Sequence, residues 1–346
     1  MQLRNKQNRR LLKLKIEQDH TPRITLSFYK YAHIPNPELF RNTLYQKLSA
    51  LEVLGRIYVS KEGINAQISV PEEKFEYFKT YINSLHILKG ERLNIAIEQS
   101  HKSFFVLDIK VRNKIVADGL DDSSFDVTNT GKHLKAKEFN ELCERPDSVV
   151  VDMRNHYEHE VGHFKGAILP DVDTFREALQ KVESILQEHR DKHILLYCTG
   201  GIRCEKASAY LKHKGFEKVY QLEGGIIEYA RQVKALGLEN KFIGKNFVFD
   251  ERLGERITDD IISSCHQCGK PCDNHTNCAN DACHLLFIQC DDCKKKFEGC
   301  CSSKCKEIIH LSPEEQKAIR KGMAKGRQVF HKGRVEFSPL EKINSL

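Results

Sequence analysis

Residues 194–206 read ILLYCTGGIRCEK and decide the fold of the central part of the chain. The apolar run before Cys198 is typical of a strand buried on both faces, and the residues from Arg203 onward predict a helix. Gly200 and Gly201 allow the backbone to curl so that amide N–H groups converge on the cysteine sulfur. The N-terminus of the helix adds partial positive charge, and both effects favour a thiolate. The stretch therefore predicts a reactive cysteine at the carboxyl end of a strand in a parallel α/β sheet.

The residues around this cysteine are candidates for the active site. Arg203 supplies a fixed cation for the thiolate or for an anionic substrate group, so we assign catalytic roles to Cys198 and Arg203. The active-site loop is completed by Thr199, Gly200, Gly201, Ile202 and Cys204. Two interpretations of Cys204 stay open, which are packing against the sheet and resolving an oxidised or persulfidated Cys198. A buried and inert Cys198 is the alternative that the two glycines and the arginine disfavour.

The central region resembles the rhodanese family, in which a cysteine opening such a loop becomes a persulfide. Besides the cysteine loop, the resemblance rests on VDMRN at 151–155, GHFKGA at 162–167 and LEGGI at 222–226. The last signature usually continues to a tryptophan, whereas this chain has Tyr229 and no tryptophan. Within the first signature, Asp152 and Arg154 are predicted to support the site as an ion pair or polar network.

The length of the cysteine loop separates two activities. Its six residues, Cys198 to Arg203, are typical of the sulfur-handling members of the rhodanese family. The related phosphatases place the arginine one residue later, where this chain has Cys204. Phosphatase activity is therefore disfavoured.

The chain is long enough for several domains, and its patterning predicts α/β and α+β units in succession. Before residue 121 the element order is β-α-β-β-α-β, a ferredoxin-like (acylphosphatase-like) split βαβ domain with an extra strand near residues 104–111. The predicted parts are a basic extension (1–20), the ferredoxin-like domain (21–120), the rhodanese-like catalytic domain (121–238), a linker (239–262), a cysteine-rich domain (263–310) and a basic C-terminal helix and arm (311–346).

Ten of the thirteen cysteines lie between residues 265 and 305. The first twenty residues do not resemble a signal peptide, so reduced cysteines and metal binding are favoured over disulfides. Two Cys-x2-Cys pairs, 265–268 and 290–293, have the spacing of zinc knuckles. The candidate ligands are Cys265, Cys268, Cys272, Cys278, Cys283, Cys290, Cys293, Cys300, Cys301 and Cys305. Ten exceed the eight that two four-cysteine sites use, so their distribution stays open, and structural zinc is favoured over a catalytic metal or an iron–sulfur cluster.

The charge of the chain favours polyanions. The formal net charge is +7, and residues 316–334 contain seven Lys or Arg and no acidic residue. Such a run is either a solvated helix face or a nucleic-acid contact. No stretch is long and apolar enough to predict a membrane span.

Taken over its whole length, the chain resembles the bacterial tRNA uridine hydroxylases of the rhodanese superfamily. Further matching stretches are SKEGINA at 60–66, FVFDER at 247–252 and CHQCG at 265–269. The resemblance implies an oxidoreductase that uses dioxygen as co-substrate to form 5-hydroxyuridine at wobble position 34 of tRNA, with Cys198 as the catalytic residue. Composition alone would not have suggested hydroxylation.

The resemblance also implies a tRNA anticodon arm as partner, no DNA, and a cytoplasmic location. A wobble base is single-stranded and splayed, so its enzyme needs a positive track for phosphates and planar groups for stacking. Candidate tRNA contacts lie in a predicted turn and in the C-terminal arm. They are Lys61, Asn65, Arg320, Lys321, Lys325 and Arg327.

Two further functions compete with hydroxylation. A rhodanese sulfurtransferase would pass a cysteine persulfide to a small acceptor or to tRNA, and a binding module would carry a vestigial rhodanese domain. The intact loop argues against the second, and the flanking domains argue against a stand-alone sulfurtransferase. Within the hydroxylase hypothesis, Cys198 either adds to C6 of the base as a nucleophile or meets oxygen as a persulfide or sulfenate.

Overall fold

The computed structural model describes residues 3, 5, 7–120 and 125–322, which form three consecutive units after a short helix, α1 (Arg9–Gln18). The first unit is a five-stranded sheet with two helices. Its elements are β1 (Arg23–Tyr31), α2 (Pro37–Ala50), β2 (Leu54–Ser60), β3 (Gly63–Pro71), α3 (Phe75–Ser84), β4 (Asn94–Ile95) and β5 (Leu107–Val111). The strand order β4-β1-β3-β2-β5, with only β5 parallel to its neighbour, confirms the ferredoxin-like unit and its extra edge strand.

The two faces of this sheet have different partners because successive side chains of a strand point to opposite faces. On one face, Leu26 and Phe28 of β1 are buried in the core that the sheet forms with α2 and α3. On the other face, Ser27 and Tyr29 line a cavity next to the second unit. The helix-covered face therefore stabilises the fold, and the opposite face is available to a site.

The second unit is a parallel sheet with helices on both faces. Its elements are β6 (Lys132–Leu134), α4 (Ala136–Cys143), β7 (Ser148–Asp152), α5 (His156–His159), β8 (Gly162–Phe164), α6 (Phe175–Leu186), β9 (His193–Tyr197), α7 (Ile202–His213), β10 (Val219–Leu222) and α8 (Gly225–Leu236). The order β6-β10-β9-β7, with every pair parallel, confirms the predicted rhodanese-like architecture. Helices α6 and α7 pack on one face and α4 and α8 on the other, so β9 lies inside the unit.

The segment 239–262, which the sequence suggests is a linker, is instead paired with the second unit. Within it, β11 (Phe242–Asn246) is antiparallel to β8 on one side and to β12 (Glu255–Arg256) on the other. The sequence pattern did not indicate this pairing because β8 is a three-residue strand far away along the chain. Main-chain hydrogen bonds therefore hold the start of this segment against the second unit.

The third unit is small and cysteine-rich. It contains the hairpin of β13 (His275–Asn277) and β14 (Leu286–Ile288), followed by α9 (Asp291–Lys296), α10 (Ser303–Ile309) and α11 (Pro313–Gly322). Most members of its two small cores are cysteines. Helix α11 begins with a capping box, in which Ser312 and Glu315 accept hydrogen bonds from each other's main-chain N–H. None of the helices described is both long and apolar enough to cross a membrane.

Candidate active site

Cys198 directly follows β9, where the chain turns into α7. The main-chain N–H of Gly201 donates a hydrogen bond to the Cys198 Sγ over 3.2 Å. Gly201 has a φ of 101°, a conformation that favours glycine, and a Cβ there would lie 2.7 Å from the Tyr29 hydroxyl oxygen. The glycine therefore permits both the tight loop and the close approach of the first unit.

The surroundings of the Cys198 sulfur favour its ionised form. Burial by itself raises the pKa of this thiol, but a hydrogen bond from the Cys204 thiol, the charge of the Arg203 guanidinium and the main-chain N–H groups of both residues outweigh it. Their sum lowers the pKa of Cys198 to about 6. At neutral pH most of the sulfur is therefore thiolate, which agrees with the expectation from the loop sequence.

Arg203 is held by a buried acid. Its Nη1 and Nη2 donate to the two carboxylate oxygens of Glu158 over 2.6 and 2.8 Å, and Nη2 lies 3.4 Å from the Thr199 Oγ1. Burial raises the pKa of Glu158, but the Arg203 charge outweighs it and holds that pKa below its usual value. The guanidinium is thus fixed beside the thiolate by a bidentate pair, and direct contact of Arg203 with substrate stays a prediction.

A cavity of about 330 Å³ reaches the sulfur. Although Cys198 itself is buried, with 0 % of its surface exposed, it lines this cavity together with Thr199, Gly200, Ile202 and Arg203 of the loop. The sheet of the first unit and the segment before β12 supply the remaining walls. They include Arg56, Tyr58, Asn65, Gln67, Asn94, Phe249 and Arg252. The site is therefore formed between units, with the thiolate in its wall.

Direct hydrogen bonds attach the first unit to the loop. The Tyr29 hydroxyl donates to Glu205 Oε1 over 3.0 Å, and the Asn94 Nδ2 donates to the Gly200 carbonyl over 3.3 Å. Asn94 is 4 % exposed, and its Oδ1 has no hydrogen-bond partner among the residues described. Because Nδ2 is occupied by the loop, Oδ1 is the part of this amide that remains for a ligand.

Sequence reasoning did not select Tyr29, Tyr58, Asn94 or Phe249 for the site. A usable signal existed in β1, where Ser27 and Tyr29 alternate with core residues and so had to face away from the helices. Nothing in the local sequence indicated that this face covers the cysteine loop.

Asp152 and Arg154 form a buried pair, each with 0 % exposure. Arg154 Nε donates to Asp152 Oδ1 over 2.9 Å and its Nη2 to Oδ2 over 2.6 Å, while Nη2 also donates to the Gly162 carbonyl over 2.6 Å. Neither residue lines the cavity. This geometry agrees with an ion pair, which joins β7 to β8.

The predicted tRNA contacts lie in different places. Lys61 is exposed in the turn between β2 and β3, whereas Asn65 lines the cavity and donates through Nδ2 to the Ile115 carbonyl over 3.2 Å. Lys321 is exposed on α11, which also contains Arg320. Lys325 and Arg327 lie outside the described residues.

Eight of the ten tail cysteines form two groups of four sulfurs. Within each group all Sγ atoms lie within 4.8 Å of one another. The first group is Cys265, Cys268, Cys290 and Cys293, and the second is Cys278, Cys283, Cys301 and Cys305. The first joins the two predicted knuckles. Cys272 and Cys300 belong to neither group.

The donor sets fit tetrahedral zinc. Four thiolates are a common structural zinc set, and such sulfurs are stabilised by main-chain N–H groups in the outer shell. The N–H of Cys290 donates to the Cys265 sulfur over 3.3 Å, and the N–H of Cys301 to the Cys278 sulfur over 3.4 Å. The same arrangement thus recurs in both groups.

Three known domain families match the chain in succession. Residues 23–115 match the UPF0176 acylphosphatase-like domain, residues 135–232 the rhodanese-like domain, and residues 243–306 the family described as rhodanase C-terminal. The third match begins inside the segment expected to be a linker, so most of that segment belongs to a known domain family.

Curated relatives are similar over nearly the whole chain. The tRNA uridine(34) hydroxylase of Photorhabdus laumondii is 55% identical over 333 residues, which are 96% of this chain and 95% of that protein. The proteins of the same name from Pectobacterium carotovorum and Salmonella newport are each 57% identical, covering 96% and 93% of this chain and 94% and 93% of their own. With this identity and coverage, together with a rhodanese cysteine loop covered by an acylphosphatase-like unit, the chain belongs to the tRNA uridine(34) hydroxylase family.

Proposed function

We propose that this chain is an oxidoreductase that converts uridine 34 of tRNA to 5-hydroxyuridine with dioxygen as co-substrate, and that Cys198 is its catalytic residue. The observation that carries the proposal is a thiol with its pKa lowered to about 6 in the wall of a cavity completed by another unit. The names of the relatives support the reaction and the substrate.

The chemistry requires an activated pyrimidine. C5 of uracil is a weak nucleophile, but addition of a thiolate to C6 makes C5 nucleophilic toward an oxygen donor. A thiolate that is already formed at neutral pH, held by the Arg203 charge and the Gly201 N–H, is suited to this addition. We therefore favour Cys198 as a nucleophile over an initial persulfide or sulfenate.

The cavity suits a base turned out of the anticodon loop. An enzyme that acts on a base reads it by stacking and by hydrogen bonds to its Watson–Crick edge. Tyr58 and Phe249 provide aromatic surface, and the Asn94 Oδ1 provides an acceptor for the N3–H of uracil. The exposed Lys61 would contact the anticodon arm, and the basic arm with Arg320, Lys321, Lys325 and Arg327 would follow its phosphates.

Replacing the cysteine tests the proposal in a strain that lacks its own enzyme of this kind. Cys198→Ala should abolish 5-hydroxyuridine in tRNA digests measured by mass spectrometry, because Cys198 is the only cysteine among the described residues that line the cavity. The matched control is Cys143→Ser, since Cys143 is a free cysteine on α4 away from the cavity. Normal 5-hydroxyuridine with Cys198→Ala would overturn the catalytic role.

Sulfur transfer is the second candidate, because the six-residue loop has the length typical of sulfur-handling rhodaneses. The same digests separate the two functions. Loss of a thiolated nucleoside with unchanged 5-hydroxyuridine would favour a persulfide on Cys198 that is passed to tRNA or to a small acceptor.

We further propose that the two four-cysteine groups hold structural zinc. When bound, the ions would stabilise a unit whose cores are otherwise made largely of cysteine. A tRNA substrate and reduced cysteines agree with a cytoplasmic location for the protein.

A further inference from the structure

The hydroxylation itself consumes two electrons, and the site contains a group that can supply them. When dioxygen places one oxygen atom at C5, the other leaves as water, which takes two electrons and two protons from a donor. Two thiols that join in a disulfide release two electrons and two protons. We propose that Cys198 and Cys204 are this electron donor and become a disulfide in each turnover; this inference rests on the proposed function.

The position of Cys204 supports this role. It lies in the first turn of α7, where helical side chains point back toward the N-terminus, and therefore toward the loop that holds Cys198. Both side chains are fully buried in the same hydrophobic core, and the Cys204 thiol is among the groups that lower the pKa of Cys198. Of the free cysteines in the part of the chain that the structure describes, only these two lie in that core.

The two sulfurs also differ in protonation. Burial and the neighbouring thiolate raise the pKa of Cys204 well above its ordinary value, so Cys204 is a neutral thiol beside an ionised Cys198. One sulfur is thus prepared to attack the base and the other to give a proton and electrons. Simple packing against the sheet would account for a buried, neutral Cys204, but it would not need an ionised Cys198 beside it.

The proposed reaction has four steps. The Cys198 thiolate bonds to C6, and C5 takes up dioxygen and a proton to become a C5 hydroperoxide. The Cys204 thiol attacks the outer oxygen, which breaks the O–O bond and leaves C5–OH and a sulfenic acid on Cys204. Loss of the C5 proton expels the Cys198 thiolate and forms 5-hydroxyuridine. Cys198 then attacks the sulfenic sulfur, so that a disulfide and water are formed. In sum, uridine, dioxygen and two thiols give 5-hydroxyuridine, water and a disulfide.

A single-turnover experiment on the full chain tests the inference. Reduced protein, freed of added reductant, is mixed with unmodified tRNA and dissolved oxygen, quenched with acid, and alkylated. Product nucleoside and free thiols are then counted by mass spectrometry. We expect one disulfide between Cys198 and Cys204 for each 5-hydroxyuridine formed, while Cys143 remains alkylated.

The variant Cys204→Ser keeps a hydrogen-bond donor beside Cys198 but cannot supply electrons. It should keep the reactivity of Cys198 toward iodoacetamide and lose single-turnover product, and an added small thiol should restore that product. If the wild-type protein forms product while Cys198 and Cys204 are both still free to be alkylated, the inference is wrong but the proposed function stands. The same holds if Cys204→Ser gives full product without added thiol. Wild-type protein that forms no 5-hydroxyuridine even with oxygen and added thiol would overturn the proposed function as well.

Discussion

At the scale of single residues, the site depends on the buried Arg203 guanidinium, which pairs with Glu158 and whose charge also acts on Cys198. Glu158 orients Arg203 through two short hydrogen bonds and is itself fixed by accepting the Asn155 main-chain N–H over 3.1 Å. The Arg203 charge acts on the buried Cys198 sulfur, where water screens it less than at the protein surface. Arg203 is therefore best described as a residue that sets the ionisation of Cys198.

This arrangement predicts the pH dependence of Cys198. Alkylation requires the thiolate, so its rate should rise with pH through about 6 and level off above it. Arg203→Gln removes a cause of the lowered pKa and should move this rise to higher pH, whereas Arg203→Lys should move it less. Peptide-resolved alkylation rates measure the effect. Cys143 is the internal control, because burial raises its pKa to about 12. If the pH dependence of Cys198 alkylation is unchanged in Arg203→Gln, Arg203 does not lower the pKa of Cys198.

At the scale of elements, the tail is organised by its cysteines. The hairpin of β13 and β14 and the short helices α9 and α10 bury little hydrocarbon, and their cores are completed by sulfur. Units of this size commonly depend on a metal for stability. The first and second knuckles come together in one group of four sulfurs, and Cys278, Cys283, Cys301 and Cys305 form the other.

Metal analysis of purified protein should therefore find two zinc ions per chain, one for each four-cysteine group. Cys268→Ser should lose about one equivalent and lower the melting temperature of the tail, since zinc binding contributes to folding free energy. Cys272→Ser is the matched control and should retain both ions, because Cys272 lies outside the groups. Iron in place of zinc, seen as visible absorption, would contradict the assignment.

At the scale of the whole molecule, one buried lysine joins the units. Lys206 on α7 is 1 % exposed, and its Nζ lies 2.7 Å from Glu62 Oε2 and 2.6 Å from Asp118 Oδ2. Glu62 belongs to the turn between β2 and β3 of the first unit. The ion pairs thus hold the sheet that lines the cavity against the helix that follows the cysteine loop.

Lys206→Met should leave these carboxylates without that cation and lower the free energy of unfolding by about 3–5 kcal/mol, the usual loss for a broken buried pair. Urea denaturation measures this, and 5-hydroxyuridine formation should fall in parallel because the cavity walls separate. Lys214→Met removes an exposed lysine of a surface pair with Glu183 at 3.5 Å and should cost less than about 1 kcal/mol. Equal stability of the two variants would show that the buried pairs do not join the units.

The sequence alone determined those features whose cause is local. A strand, two glycines and a helix start specify the thiolate loop around Cys198, and the alternation and turns of the first unit specify its β-α-β-β-α-β order. The two Cys-x2-Cys spacings indicated the four cysteines of the first group, Cys265, Cys268, Cys290 and Cys293. Only the tertiary structure decided that Tyr29 and Asn94 cover the loop, that Glu158 holds Arg203, and that the segment after α8 joins the second unit. The reason is physical: each of these contacts joins groups far apart in the chain, so their energies depend on which faces pack together and not on the spacing of neighbouring residues.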